Sequence, residues 1–113
     1  MQPQMGGILQ VNIADRAALQ SSYMAFVSGG ALFIPSQQTV KLGQQMFVLA
    51  TLPEQSQKIP LTGKVVWINF KKAGLKPQGF AIQLSGEKGL YYRAEAEKLL
   101  AGTMSSHRPS YTM

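Results

Sequence analysis

Short apolar runs recur along the chain, separated by polar breaks that carry glycine or proline, and their spacing predicts strands more often than helices. Gly7–Ile13 alternates, with Leu9, Val11 and Ile13 on one side, which predicts a first strand with one apolar face. Asp15 then stands where a helix N-cap would, and Arg16–Phe26 is predicted as a short helix with Ala18, Leu19, Ser22 and Tyr23 on one side. Ala31–Ile34 is a short buried strand stopped by Pro35. Met46–Leu52 is almost wholly apolar; it fits a strand buried on both faces, or half buried with an apolar outer side, and Pro53 ends it. The longest strand candidate is Lys58–Phe70, where Pro60 points to an edge position and Gly63 to a bulge. Beyond Gly63, Val65 and Trp67 are predicted to point one way and Val66 and Ile68 the other. One of these apolar faces must then be covered by a helix or a partner. Gly79–Leu84 places Phe80, Ile82 and Leu84 on one face. Gly89–Ala101 is the clearest helix, with Tyr92, Ala96, Leu99 and Leu100 as its stripe, Arg93 and Glu97 spaced for an i,i+4 pair, and Gly102 closing it.

Together these elements predict a mainly β fold: a small antiparallel β-barrel of about six strands, with a short helix after strand one and a C-terminal helix. A closed or nearly closed sheet also removes strand edges. One domain is expected over residues 7–102, with a flexible N-terminus at 1–6 and a flexible polar tail at 103–113.

Charge narrows the partners. Eleven lysines and arginines against five carboxylates give +6, which favours acidic partners, although the lysines are spread along the chain and not stacked in one block. There is no cysteine, so disulfides and thiolate metal sites are excluded. The N-terminus has no basic residue before Arg16 and no long apolar core, so neither a secretory signal nor membrane insertion is expected, and the protein is read as cytoplasmic. The five acids (Asp15, Glu54, Glu87, Glu95 and Glu97) fall at a cap, a loop and a helix surface. No phosphate-cradling loop or nucleophile elbow appears, so an enzyme is not expected and no cofactor is called for.

The stretch Tyr23–Ser36 carries most of the candidate chemistry. Ser28, Gly29 and Gly30 form a hinge at which paired glycines permit positive φ or a close backbone approach. Tyr23, Met24, Phe26, Phe33 and Trp67 are the candidate protein-contact surface, because aromatics supply large burial with a polar handle; the alternative is that they are core. The tail, with Arg108, Pro109, Tyr111 and Met113, is a second candidate contact. His107, alone in that tail, has no neighbouring ligand for a metal and is read as solvated. Lys71, Lys72 and Lys76 form a basic loop that could meet phosphates or acidic patches, or simply be a solvated hairpin tip. Binding of nucleic acid is not expected, since the aromatics lie mostly in apolar runs and not as stacking platforms.

Val27–Ile34 resembles the signature turn of PilZ domains, receptors for cyclic di-GMP, in which an Asp or Asn precedes a serine and a glycine follows. Here the serine is Ser28, the acid or amide position falls on Phe26, and the final glycine position falls on Ala31. Gly63–Trp67 (GKVVW) and Gly79–Leu84 resemble two later strands of the same family. Ser22–Val27, Leu99–Gly102 and the ending Arg108–Met113 are similar to its type IV pilus branch. Ligand-binding members carry an Arg-x-x-x-Arg motif ahead of the turn, whereas this chain has only Arg16 there. The resemblance therefore implies a member that does not bind cyclic di-GMP directly. It implies an adaptor in type IV pilus biogenesis that contacts the pilus extension ATPase PilB and an EAL-domain regulator of the FimX type. A direct cyclic di-GMP receptor with atypical ligand residues is the alternative.

Overall fold

A computed structural model describes residues 9–72 and 77–101. Strand β1 (Leu9–Val11) leads into helix α1 (Arg16–Ser22), then β2 (Tyr23–Met24), β3 (Ala31–Pro35), β4 (Gln45–Ala50), β5 (Ile59–Asn69), β6 (Gly79–Gln83) and helix α2 (Gly86–Leu100). The strands form one six-stranded sheet in the order β1-β4-β5-β6-β3-β2, curled into a half-barrel with the two helices. The mainly β, barrel-like class expected from the sequence is the observed one. Four of the pairings are antiparallel, and β1 alone runs parallel to β4.

Strand β5 is the corner of the half-barrel. Its first half pairs with β4, from Ile59 opposite Ala50 to Lys64 opposite Gln45. Its second half pairs with β6, from Val65 opposite Ile82 to Asn69 opposite Gly79. Pro60 lies where β5 is paired to β4 and β6 has not yet joined, so its missing N–H costs no ladder bond on that side. The register shifts between Val65 and Trp67, which places the bulge two residues past Gly63. Gly63 has a different reason: a Cβ there would run into the Gln83 carbonyl oxygen, so only glycine lets the two backbones come this close. The bulge also overturns the predicted alternation. Val65 enters the main core, Trp67 joins a cluster on the opposite face, and Ile68 returns to the main core. One extra residue reverses every side chain beyond it.

The concave side is closed by the helices. Leu19 from α1, and Tyr92, Ala96 and Leu100 from α2, share one core with Leu32, Ile34, Val48, Leu61, Phe80 and Ile82. Burial of each leucine, isoleucine, valine or phenylalanine among them contributes about 1.5–3 kcal/mol, which is what turns six short strands into a stable sheet. Strand β4 is half buried: Met46, Val48 and Ala50 point inward, and Phe47 points out at 40 % exposure. Helix α1 starts as predicted, with Asp15 accepting the Ala18 amide at 2.8 Å. It stops at Ser22, four residues short of the predicted end, because Tyr23 turns extended and pairs with Leu32. Helix α2 begins three residues before the predicted Gly89, and Gly102 lies outside the described residues.

A buried polar knot ties β1 to the rest. The Thr51 hydroxyl accepts the Ile13 amide at 3.0 Å and donates to Asn12 Oδ1 at 2.9 Å. The Tyr92 hydroxyl donates to the Thr51 carbonyl at 2.9 Å, and burial pushes that phenol above its ordinary range.

Candidate functional site

The turn after β2 is built from two successive backbone bonds. The Val27 amide donates to Met24 at 3.3 Å, and the Gly30 amide donates to Val27 at 2.7 Å. Gly29 and Gly30 close the turn at φ 78° and 84°, the left-handed region that glycine enters without a Cβ penalty. Gly30 is needed twice over, since a Cβ there would lie 2.7 Å from the Tyr23 hydroxyl oxygen. The turn is pinned to the end of β6: the Gln83 side-chain amide donates to the Ser28 carbonyl at 2.9 Å, and the Leu84 amide donates to the Gly30 carbonyl at 2.9 Å.

Behind the turn, the convex side of the sheet carries a second small core. Met24, Ala31, Phe33 and Ala81 are buried there, with Val27 and Trp67 partly buried against them. Phe33 and Trp67 both pair with Ala81, one from each side, so a small residue separates two large aromatics across three strands. The Trp67 indole donates to Asn69 Oδ1 at 2.8 Å, and the Asn69 amide donates to the Pro77 carbonyl at 3.1 Å.

Tyr23, on the main-core side of β2, joins that strand to α2. Its hydroxyl donates to Glu97 Oε2 at 2.7 Å, and Arg93 Nε approaches the same oxygen at 3.4 Å. Burial first, then the bond to Glu97 and its charge, push the Tyr23 phenol above its ordinary value of 10.0. The Tyr23 hydroxyl, more than Arg93, holds the Glu97 carboxyl below its ordinary 4.5.

The five aromatic and apolar residues singled out from the sequence therefore divide. Met24 and Phe33 are fully buried and shape the face from beneath, so in the isolated chain they present no side chain to a partner. Tyr23 is buried and bonded, Trp67 is half-buried, and Phe26 stands out of the turn at 58 % exposure. Ser28 and Gly29 are exposed on the turn, and Gly30 is buried. Arg108, Pro109, Tyr111 and Met113, with His107 and Lys76, lie outside the described residues. The i,i+4 pair Arg93–Glu97 was legible in the sequence, but its third member, Tyr23, was not, because nothing local links positions this far apart. Gln83, which occupies the Ser28 carbonyl, carried no signal at all.

Among the described residues here, the Tyr23–Glu97–Arg93 contact ties α2 to β2. The convex side beside the turn is apolar and aromatic, with Met24, Ala31, Phe33 and Ala81 buried and Val27 and Trp67 partly buried. No described helix is long and apolar enough to cross a membrane.

The family model of the PilZ domain matches residues 8–95. No curated protein matched the chain. PilZ domains are typically binding domains and not enzymes, with receptor or adaptor roles linked to cyclic di-GMP. The match spans β1 through most of α2 and coincides with the half-barrel and its glycine turn. This chain belongs to the PilZ domain family.

Proposed function

We propose that this PilZ domain is a non-enzymatic adaptor of type IV pilus biogenesis, acting in the cytoplasm through protein contacts and not as a direct receptor for cyclic di-GMP. The observation that carries the reading is at the turn. Phe26 stands exposed where ligand-binding members place an Asp or Asn, and Arg16, at the start of α1, is the one arginine ahead of Ser28. Two charge-assisted contacts of about 1.5–3 kcal/mol each are thereby missing, enough to remove several orders of magnitude in affinity. An exposed phenylalanine on a pinned turn, whose next residue Val27 packs against the same small core as the half-buried Trp67, suits a protein partner better than a phosphate.

The partners proposed are the pilus extension ATPase PilB and an EAL-domain regulator of the FimX type, with Phe26 and Trp67 on the contact face, Tyr23, Met24 and Phe33 supporting it, and the Arg108–Met113 tail adding to one contact. Titration calorimetry of the chain against each purified partner tests this. Binding of at least one, weakened about ten-fold by Phe26→Ser without a change in melting temperature, is the expected result. Failure of both partners to bind would overturn the reading.

A further inference from the structure

We infer that the outer side of β4 and of the first half of β5 is a second docking surface, on the same convex side of the sheet as Trp67 but at the opposite end from the Phe26 turn, and that it takes an acidic protein segment with an apolar centre. The β4–β5 register sets the face out in rows. Leu49 lies opposite Pro60, Phe47 opposite Thr62, and Gln45 opposite Lys64. Gln10 of β1 continues the first row beside Leu49. Phe47 is 40 % exposed, and Leu49 and Pro60, in the neighbouring row, are part-exposed beside it. Three apolar side chains on two neighbouring strands thus form one patch and are not scattered singly, whereas Val66 stands beyond the Gln45–Lys64 row, next to Trp67.

The charged side chains on and beside these rows are lysines, with Glu54 in the loop at one rim. Lys64 points out from β5 itself, and Lys58, just before the strand, is exposed beside Leu49, where both line a hollow of about 300 Å³ together with Gln10 and Gln55. The turn Lys41–Gln44 is bonded to Val65 at the other end of the face and brings Lys41 to that rim. None of the five carboxylates of the chain stands on a strand: Asp15 caps α1, Glu54 is in the β4–β5 loop, and Glu87, Glu95 and Glu97 are on α2. A second copy of this chain is therefore the wrong occupant. A two-fold contact through this face would set Lys41, Lys58 and Lys64 against their copies, with Glu54 alone at the rim to answer them. Nucleic acid fits poorly, because Phe47 is the one aromatic in these rows and base stacking needs a series of platforms. An acidic, partly apolar segment answers both the patch and its rim. The surface stands whether or not the Phe26 turn is a contact, so the two readings fail separately.

The test is an amide chemical-shift titration of the full chain with a peptide of alternating glutamate and leucine, beside a lysine–leucine control. Perturbations concentrated in Gln45–Leu49 and Leu61–Lys64, seen with the acidic peptide and not with the basic one, are expected. Phe47→Ser and Lys64→Glu should each weaken binding about ten-fold or more and leave the rest of the spectrum in place. No perturbation, perturbation elsewhere, or equal binding of the control would overturn the inference. Phe47-dependent dimerisation in sedimentation equilibrium, or Phe47-dependent binding to phosphatidylglycerol vesicles or single-stranded DNA without binding of the peptide, would overturn the assigned partner class.

Discussion

Tyr23 and Glu97 meet across 74 positions of sequence: the phenol that opens β2 donates to a carboxylate in the last turns of α2 at 2.7 Å. This bond fixes the C-terminal helix to the strand that carries the glycine turn. The same tyrosine ring lies where a side chain on Gly30 would have to go. One residue therefore sets both the seat of the helix and the path of the turn.

Its pH dependence follows from the direction of the shifts. The Glu97 carboxyl is held below 4.5 in the folded chain, so the stability it contributes is present above 4.5 and is lost as pH falls through the lower folded value. The Tyr23 phenol is raised above 10.0, so its contribution is present below 10.0 and is lost as pH rises toward the folded value. Tyr23→Phe should cost about 1 kcal/mol near neutrality. The melting-temperature gap to the parent chain should narrow as pH drops below 4.5. A gap that stays constant down to about pH 3 would contradict the bond.

Gly63→Ala should destabilise by about 3 kcal/mol or prevent folding, because the added carbon meets the Gln83 backbone and β5 and β6 must separate. Gly43→Ala is the comparison. Gly43 has φ 85° with open space around it, so only the left-handed conformation is penalised, about 1–2 kcal/mol. Denaturant melts of both variants check the order; equal losses would contradict the close approach.

Thr51→Val removes the acceptor of the buried Ile13 amide and should cost about 1–3 kcal/mol, with Thr51→Ser recovering most of it. Hydrogen exchange at Ile13 is the sharper readout. It should accelerate in the valine variant and not in the serine one.

Much of the fold was legible from local pattern. The Asp15 cap, the Ala31–Ile34 run, the alternation in Gly79–Leu84 and the stripe of α2 each depend on neighbours in sequence, and each appears where the pattern put it. What the pattern missed depends on distant partners. Tyr23 has a helical neighbour on one side, yet pairing with Leu32 pulls it out of α1. Gly63 resembles a bulge residue, yet its constraint comes from Gln83 on another strand, and the real bulge at Val65/Trp67 carries no glycine. That bulge is why Trp67 could not be assigned a face from period two. At the candidate site, the turn glycines and the buried Ala31–Ile34 strand were legible by type, whereas the sequence left open whether Met24, Phe26 and Phe33 are contact or core, and the second small core on the convex side buries Met24 and Phe33 while Phe26 stands out.

The adaptor reading also makes a claim about the tail. Truncation after Gly102 is expected to leave the melting temperature unchanged and to weaken binding of one of the two proposed partners. Unaltered calorimetric affinity for both would remove the tail from the contact.

The most direct test of the central claim is a calorimetric titration of the purified chain with cyclic di-GMP at near-physiological salt. With Phe26 at the acid or amide position and a lone Arg16 ahead of the turn, no heat of binding and no thermal stabilisation at high ligand are predicted. Micromolar binding, about 8 kcal/mol, would contradict the account and make this PilZ domain a sensor in its own right.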